Sequence, residues 1–125
     1  MLDQKVTVSE LKERVDRFIS EREWNKYHKP KDLSISIVLE SSELLEHFQW
    51  LADDEIEIML KDSQKLQQIE SELADIVIYC LSLSNALRSD LSNVVLRKLE
   101  EDEKKYPSEK VKGSYRKYNQ ISSQK

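Results

Sequence analysis

The chain has 125 residues with 20 basic and 24 acidic side chains, a net charge of −4. That length suits one ordinary domain and leaves no room for two, and the acidic balance excludes a surface built to hold nucleic acid by its phosphates. One glycine and two prolines, where average usage supplies about 7% glycine, exclude an architecture of tight turns and hairpins.

A first helix opens at Thr7. Thr7 and Glu10 have the spacing of a capping box and Val6 and Leu11 that of a hydrophobic staple, and Val8, Leu11, Val15, Phe18 and Ile19 then recur at helical intervals. The stripe fades into REWNKYHKPKD, where Pro30 marks a break and Asp32 can cap a second helix running from about Leu33 to Leu51. LSISIV alternates briefly like a strand, but no turn residue separates it from the Leu- and Glu-rich stretch beyond, so helix is predicted. ADDEIEIMLKDS reads as a polar connection with room for one short helical turn. A long third helix follows from about Ser63 to Arg88, with Leu66, Ile69, Leu73, Ile76, Val77, Cys80, Leu83 and Leu87 on helical spacing. Ser89 or Asp90 caps a fourth, through Leu91, Val95 and Leu99 to Tyr106–Pro107. Residues 1–107 are therefore expected to form a single helical domain, an all-α bundle of four principal helices. Residues 108–125 are expected to be a polar C-terminal tail.

The second and third helices are apolar over most of their circumference, which predicts burial on two sides and hence an oligomer. The lone Cys80 cannot form an intrachain disulfide, and the N-terminus lacks the basic-then-apolar layout of a signal peptide. No apolar run reaches the roughly 18 residues of a membrane span. A soluble cytoplasmic protein, with neither membrane nor nucleic acid as partner, is expected.

The apolar run IVLESSELLEHF contains Glu40 and Glu43, three residues apart on one helical face. The third helix carries a matching pair, Glu72 and Asp75, also entering an apolar run. Two helices presenting such pairs can converge four carboxylates, and a divalent cation removes the repulsion between them. All-oxygen ligation favours Mg²⁺ or Mn²⁺, and magnesium commonly also takes substrate phosphate oxygens. A di-iron bundle would want Glu-x-x-His motifs; His47 lies four residues from Glu43 rather than three, and the third helix has no histidine. Glu-x-x-Glu pairs also occur on ordinary solvated helix faces, so spacing leaves both readings open.

WNKYHKPKDLSISIVLESSELLEHFQW, IESELADIVIYCLSLSNAL and KLEEDEKKYP…GSYRKY together resemble the MazG-like nucleoside triphosphate pyrophosphohydrolases, in the small branch that includes the dCTP pyrophosphatases. The resemblance covers roughly residues 15 to 119. Its core is E-x-x-E, about 28 residues, then E-x-x-D, met by Glu40, Glu43, Glu72 and Asp75. It implies an all-α fold assembled as homodimers or homotetramers, with sites built between subunits. It implies Mg²⁺-dependent cleavage of the α–β phosphoanhydride of a nucleoside triphosphate, in nucleotide-pool sanitation, with those four acids as catalytic metal ligands. Trp24, His28, Trp50 and Tyr79 match positions around the nucleobase, and Lys98 matches a lysine facing the phosphates. Asp102 stands where the branch commonly has asparagine, and an ionised aspartate only accepts hydrogen bonds. That departure supports an alternative expectation, a non-catalytic helical oligomerisation or nucleotide-sensing module of the same fold. Arg116 and Lys117 of the tail are further phosphate-contact expectations.

Overall fold

The structure, a computed structural model, describes residues 1–113. Six α-helices and no strand occur among the described residues: α1 Val8–Glu21, α2 Pro30–Glu46, α3 Asp53–Met59, α4 Ser63–Leu87, α5 Leu91–Lys105 and α6 Ser108–Val111. The four long ones are the helices read from the periodicity. The chain divides into two compact units, Met1–Ser89 and Asp90–Lys125. The expectations for Arg116 and Lys117 lie outside the described residues.

Local chemistry sets most of the boundaries. The capping box at α1 is formed: Thr7 Oγ1 accepts from the Glu10 N–H at 3.2 Å, and Glu10 Oε2 accepts from the Thr7 N–H at 2.7 Å. The bonds that the Glu10 carboxylate accepts, from the Thr7 N–H and from the Thr7 hydroxyl at 3.0 Å, hold its carboxyl below its ordinary pKa. Asp62 caps α4 by accepting from the Gln64 N–H at 2.9 Å, and Asp90 caps α5 by accepting from the Asn93 N–H at 3.1 Å. The second helix differs from its predicted bounds at both ends. It starts at Pro30, which occupies the first turn; proline has no N–H to satisfy there and its fixed φ suits a helix start, so a residue read as a break is an initiator. It ends at Glu46, and residues 47–50 form turns. The predicted polar connection contains α3, seven residues long, with the Glu55 carboxylate accepting from the Ala52 N–H at 3.0 Å.

Within Met1–Ser89, α2 packs most extensively on α4, and α1 packs on α4 as well. Ile19 of α1, Leu33 of α2, and Ile69 and Leu81 of α4 are the buried hydrophobic residues. The C-terminal end of α4 is tied to α1 by polar bonds: Lys12 Nζ donates to the Ser89 carbonyl at 2.7 Å, and Asn85 Nδ2 donates to the Lys12 carbonyl at 3.0 Å. α4 then closes with Arg88 in the left-handed region (φ 52°, ψ 40°). Many large apolar side chains stay exposed on α2 and α4, including Val38 at 67%, Leu39 at 58%, Leu45 at 56% and Leu73 at 52%. Within Asp90–Lys125, α5 exposes Val95, Leu96 and Leu99.

Candidate active site

The packing of α2 on α4 brings the acid pairs together. Glu40, Glu43 and Glu72 each place a carboxylate oxygen within 4.8 Å of the other two. Oxygens around one octahedral magnesium lie at most about 4.2 Å apart, twice the 2.0–2.1 Å bond, so small side-chain adjustments would close the set on such an ion. Glu40 Oε2 and Glu72 Oε2 are buried with no hydrogen-bond partner. Buried carboxylate oxygens are costly without a partner, so a cation fits this donor set.

The electrostatics point the same way. Loss of hydration, then the neighbouring Glu43, and then Asp75 and Glu72 push the Glu40 carboxyl from 4.5 up to about 7. Glu72 is also raised, first by lost hydration and then by Glu43, with His47 opposing the rise. Asp75 lies one helical turn beyond Glu72; it is outside the close set of three oxygens but near enough to raise both carboxyls.

Asp75 also lines a cavity of about 420 Å³ between α1 and α4, together with Phe18, Trp24, His28, Tyr79 and Ser82. Phe18 meets Trp24 edge-on, with centroids 5.9 Å apart, and His28 stacks on Tyr79 at 6.5 Å and 21°. The short 3-10 turn Asn25–Tyr27 and a bond from His28 Nδ1 to the Trp24 carbonyl at 2.9 Å fix that histidine. The walls are mostly aromatic and aliphatic, with the Asp75 carboxylate and Arg14 among them. Such a cavity accepts a flat, apolar-faced group attached to something a metal binds.

Of the ten singled-out residues that lie among those described, seven meet in this region: the four acids and Trp24, His28 and Tyr79. Trp50 does not line the cavity; it sits in the turn after α2 and is 85% exposed. Lys98 and Asp102 lie on α5 in the other unit, where Lys98 Nζ donates to the Asp102 carboxylate at 2.8 Å. That bond raises the Lys98 pKa. Arg14, Phe18 and Ser82 line the cavity and were not read as site residues. Phe18 was counted in the apolar stripe of α1, and the only sequence signal for Ser82 was a small polar residue inside an apolar run.

The pattern of the MazG-like family matches residues 35–121. The dCTP pyrophosphatase 1 of Bos taurus is 32% identical over 115 residues, covering 92% of this chain and 68% of the bovine protein. The dCTP pyrophosphatase 1 of Homo sapiens is 31% identical over the same extent. Among solved structures, a pyrophosphatase from Archaeoglobus fulgidus superposes with a TM-score of 0.73 at 40% identity, covering 79% of this chain and 91% of that one.

Proposed function

The chain belongs to the MazG-like family, and from that premise we propose that it is a Mg²⁺-dependent nucleoside triphosphate pyrophosphohydrolase, cleaving (d)NTP to (d)NMP and pyrophosphate in nucleotide-pool sanitation. The observation that carries this reading is the place of Asp75, which belongs electrostatically to the acid cluster and physically to the aromatic cavity. A ligand filling both must pair a flat aromatic group with a metal-binding anion, which is the chemistry of a nucleotide. The dCTP pyrophosphatases of Bos taurus and Homo sapiens, similar over most of the chain, support a nucleotide substrate.

Glu40, Glu43, Glu72 and Asp75 would hold the magnesium. When bound, the ion neutralises the polyphosphate and stabilises charge developing on the departing pyrophosphate. The protein's own part is positional. Trp24, His28 and Tyr79 offer ring faces to the base, and Tyr79 follows Asp75 by one turn of α4, so a nucleotide seated by its base presents its phosphates to the carboxylates. Lys98 and Asp102 join the proposal as substrate-binding residues, with Lys98 supplying positive charge to phosphate and Asp102 holding its ammonium in place. Trp50, 85% exposed, is proposed to complete a base site across a homodimer or homotetramer contact. No helix among the described residues is long and apolar enough to cross a membrane, and a cytoplasmic location is proposed.

The test is pyrophosphate release from a panel of nucleoside triphosphates, with Mg²⁺ and with chelator, for wild type and Glu43→Ala. Metal-dependent release that falls at least 100-fold in the variant is expected. Folded wild-type protein that releases pyrophosphate from no nucleotide would sink the reading.

A further inference from the structure

Asp75, Tyr79 and Ser82 are spaced four and three residues apart on α4, so they form one stripe along the cavity wall. Seven residues of helix rise about 10 Å, which puts Ser82 at the end of the cavity away from the acids. That separation is comparable to the span from a nucleoside's 5′ phosphate to the far edge of its base.

Ser82 is only 5% exposed, and its hydroxyl has no hydrogen-bond partner among the described residues. Other serines here behave differently. Ser34 and Ser41 each donate to the carbonyl four residues back at 2.7 Å, and the buried Ser84 is engaged with Ser89. Ser82 lines this cavity and also the polar one formed with Asn25, Lys29 and Asn85. Its hydroxyl is not among the sealed-off, unpartnered polar atoms, so it stays open to a group that enters beside it. Most of the neighbouring wall is carbon: Val15, Phe18, Ile19 and Ile78. His28 is already committed through Nδ1 to the Trp24 carbonyl. Ser82 is thus the polar lining side chain that is more than nine-tenths buried.

We infer that the Ser82 hydroxyl bonds the exocyclic amino or oxo group on the far edge of the base and so selects for bases that carry such a group. This rests on the nucleotide reading above. Ring stacking holds any base, because every base has a π-face; a buried polar group penalises a base that cannot pair with it. A hydroxyl donates and accepts, so it serves an amino or an oxo substituent and rejects a base with hydrogen there.

The experiment measures binding of the four common deoxynucleoside monophosphates, and of analogues with hydrogen at pyrimidine C4 or purine C6. Calorimetry in chelator is run on wild type, Ser82→Ala and Ser82→Thr. Wild type is expected to bind its preferred base about five- to tenfold tighter than the matching analogue. Ser82→Ala should erase that ratio by weakening the natural base alone, and Ser82→Thr, which keeps the hydroxyl, should retain it. In turnover the loss should appear in KM with kcat held. An unchanged ratio in Ser82→Ala, an equal loss for a natural base and its hydrogen-bearing analogue, or no nucleotide binding by wild type overturns the inference. Pyrophosphate release separates the two readings: base-selective binding lost in Ser82→Ala, with no release by wild type, would sink the enzyme reading and leave Ser82's role standing.

Discussion

Glu40 shows what a single residue carries at this site. In the unfolded chain its carboxyl ionises near 4.5, and in the folded metal-free protein near 7, raised by lost hydration and by Glu43, Asp75 and Glu72. Between those values the folded state binds more protons than the unfolded one, so metal-free stability falls as pH rises through that window and the loss is complete above it. Glu40→Gln removes the ionisation. In chelator, its melting temperature should exceed that of wild type at pH 8 and approach it at pH 4.5. Added Mg²⁺ should stabilise wild type more at pH 8 than at pH 5.5, because the ion competes with the proton. Thermal melts over that pH range check both, and a wild-type advantage at pH 8 in chelator would count against the crowded-carboxylate account. The acids themselves were legible in the sequence, since two i,i+3 pairs in apolar runs are a local pattern. The orphaned oxygens of Glu40 and Glu72 were not, because burial of an atom depends on what another helix lays over it.

At the scale of an element, helix starts were legible where a side chain caps its own backbone. Thr7 and Asp90, read as caps, form them. Asp32 instead lies inside the first turn of α2 and does not cap it, and the cap of α4 by Asp62 is found only in the structure. Pro30 was misread because proline both breaks and begins helices, and only the surrounding backbone decides which. The end of α4 is a costlier join. Arg88 adopts φ 52°, a region where a Cβ is crowded and glycine is favoured. Arg88→Gly should therefore stabilise the protein by on the order of 0.5–1 kcal/mol, the relief of backbone strain outweighing the greater unfolded-chain entropy of glycine. Urea unfolding measures it, and a destabilised Arg88→Gly would mean that the arginine side chain contributes more than its backbone costs.

For the whole molecule, the question is what covers α2 and α4. Only four hydrophobic residues are buried among those described, while Val38, Leu39, Leu45 and Trp50 are each more than half exposed. Exposed apolar area on that scale marks an association surface, in keeping with the proposed homodimer or homotetramer. Light scattering at micromolar concentration should give two or four times the chain mass. Leu39→Glu, which sets a carboxylate in the apolar face, should shift the population toward monomer and lower activity with it, since Trp50 is proposed to act across the contact. A wild-type monomer retaining full activity would refute this arrangement.

The sequence by itself determined the helical class, the order of the long helices, two of the helix caps and the identity of the acids. Each of these depends on neighbours within a few residues, through propensity, capping and the 3.6-residue period. The tertiary structure alone decided that the acid cluster and the aromatic cavity share Asp75, that Phe18 and Ser82 are cavity walls, and that Trp50 stands clear of that cavity. Those facts depend on which faces of α1, α2 and α4 meet, and a helical pattern shows that a face is apolar without showing what packs against it.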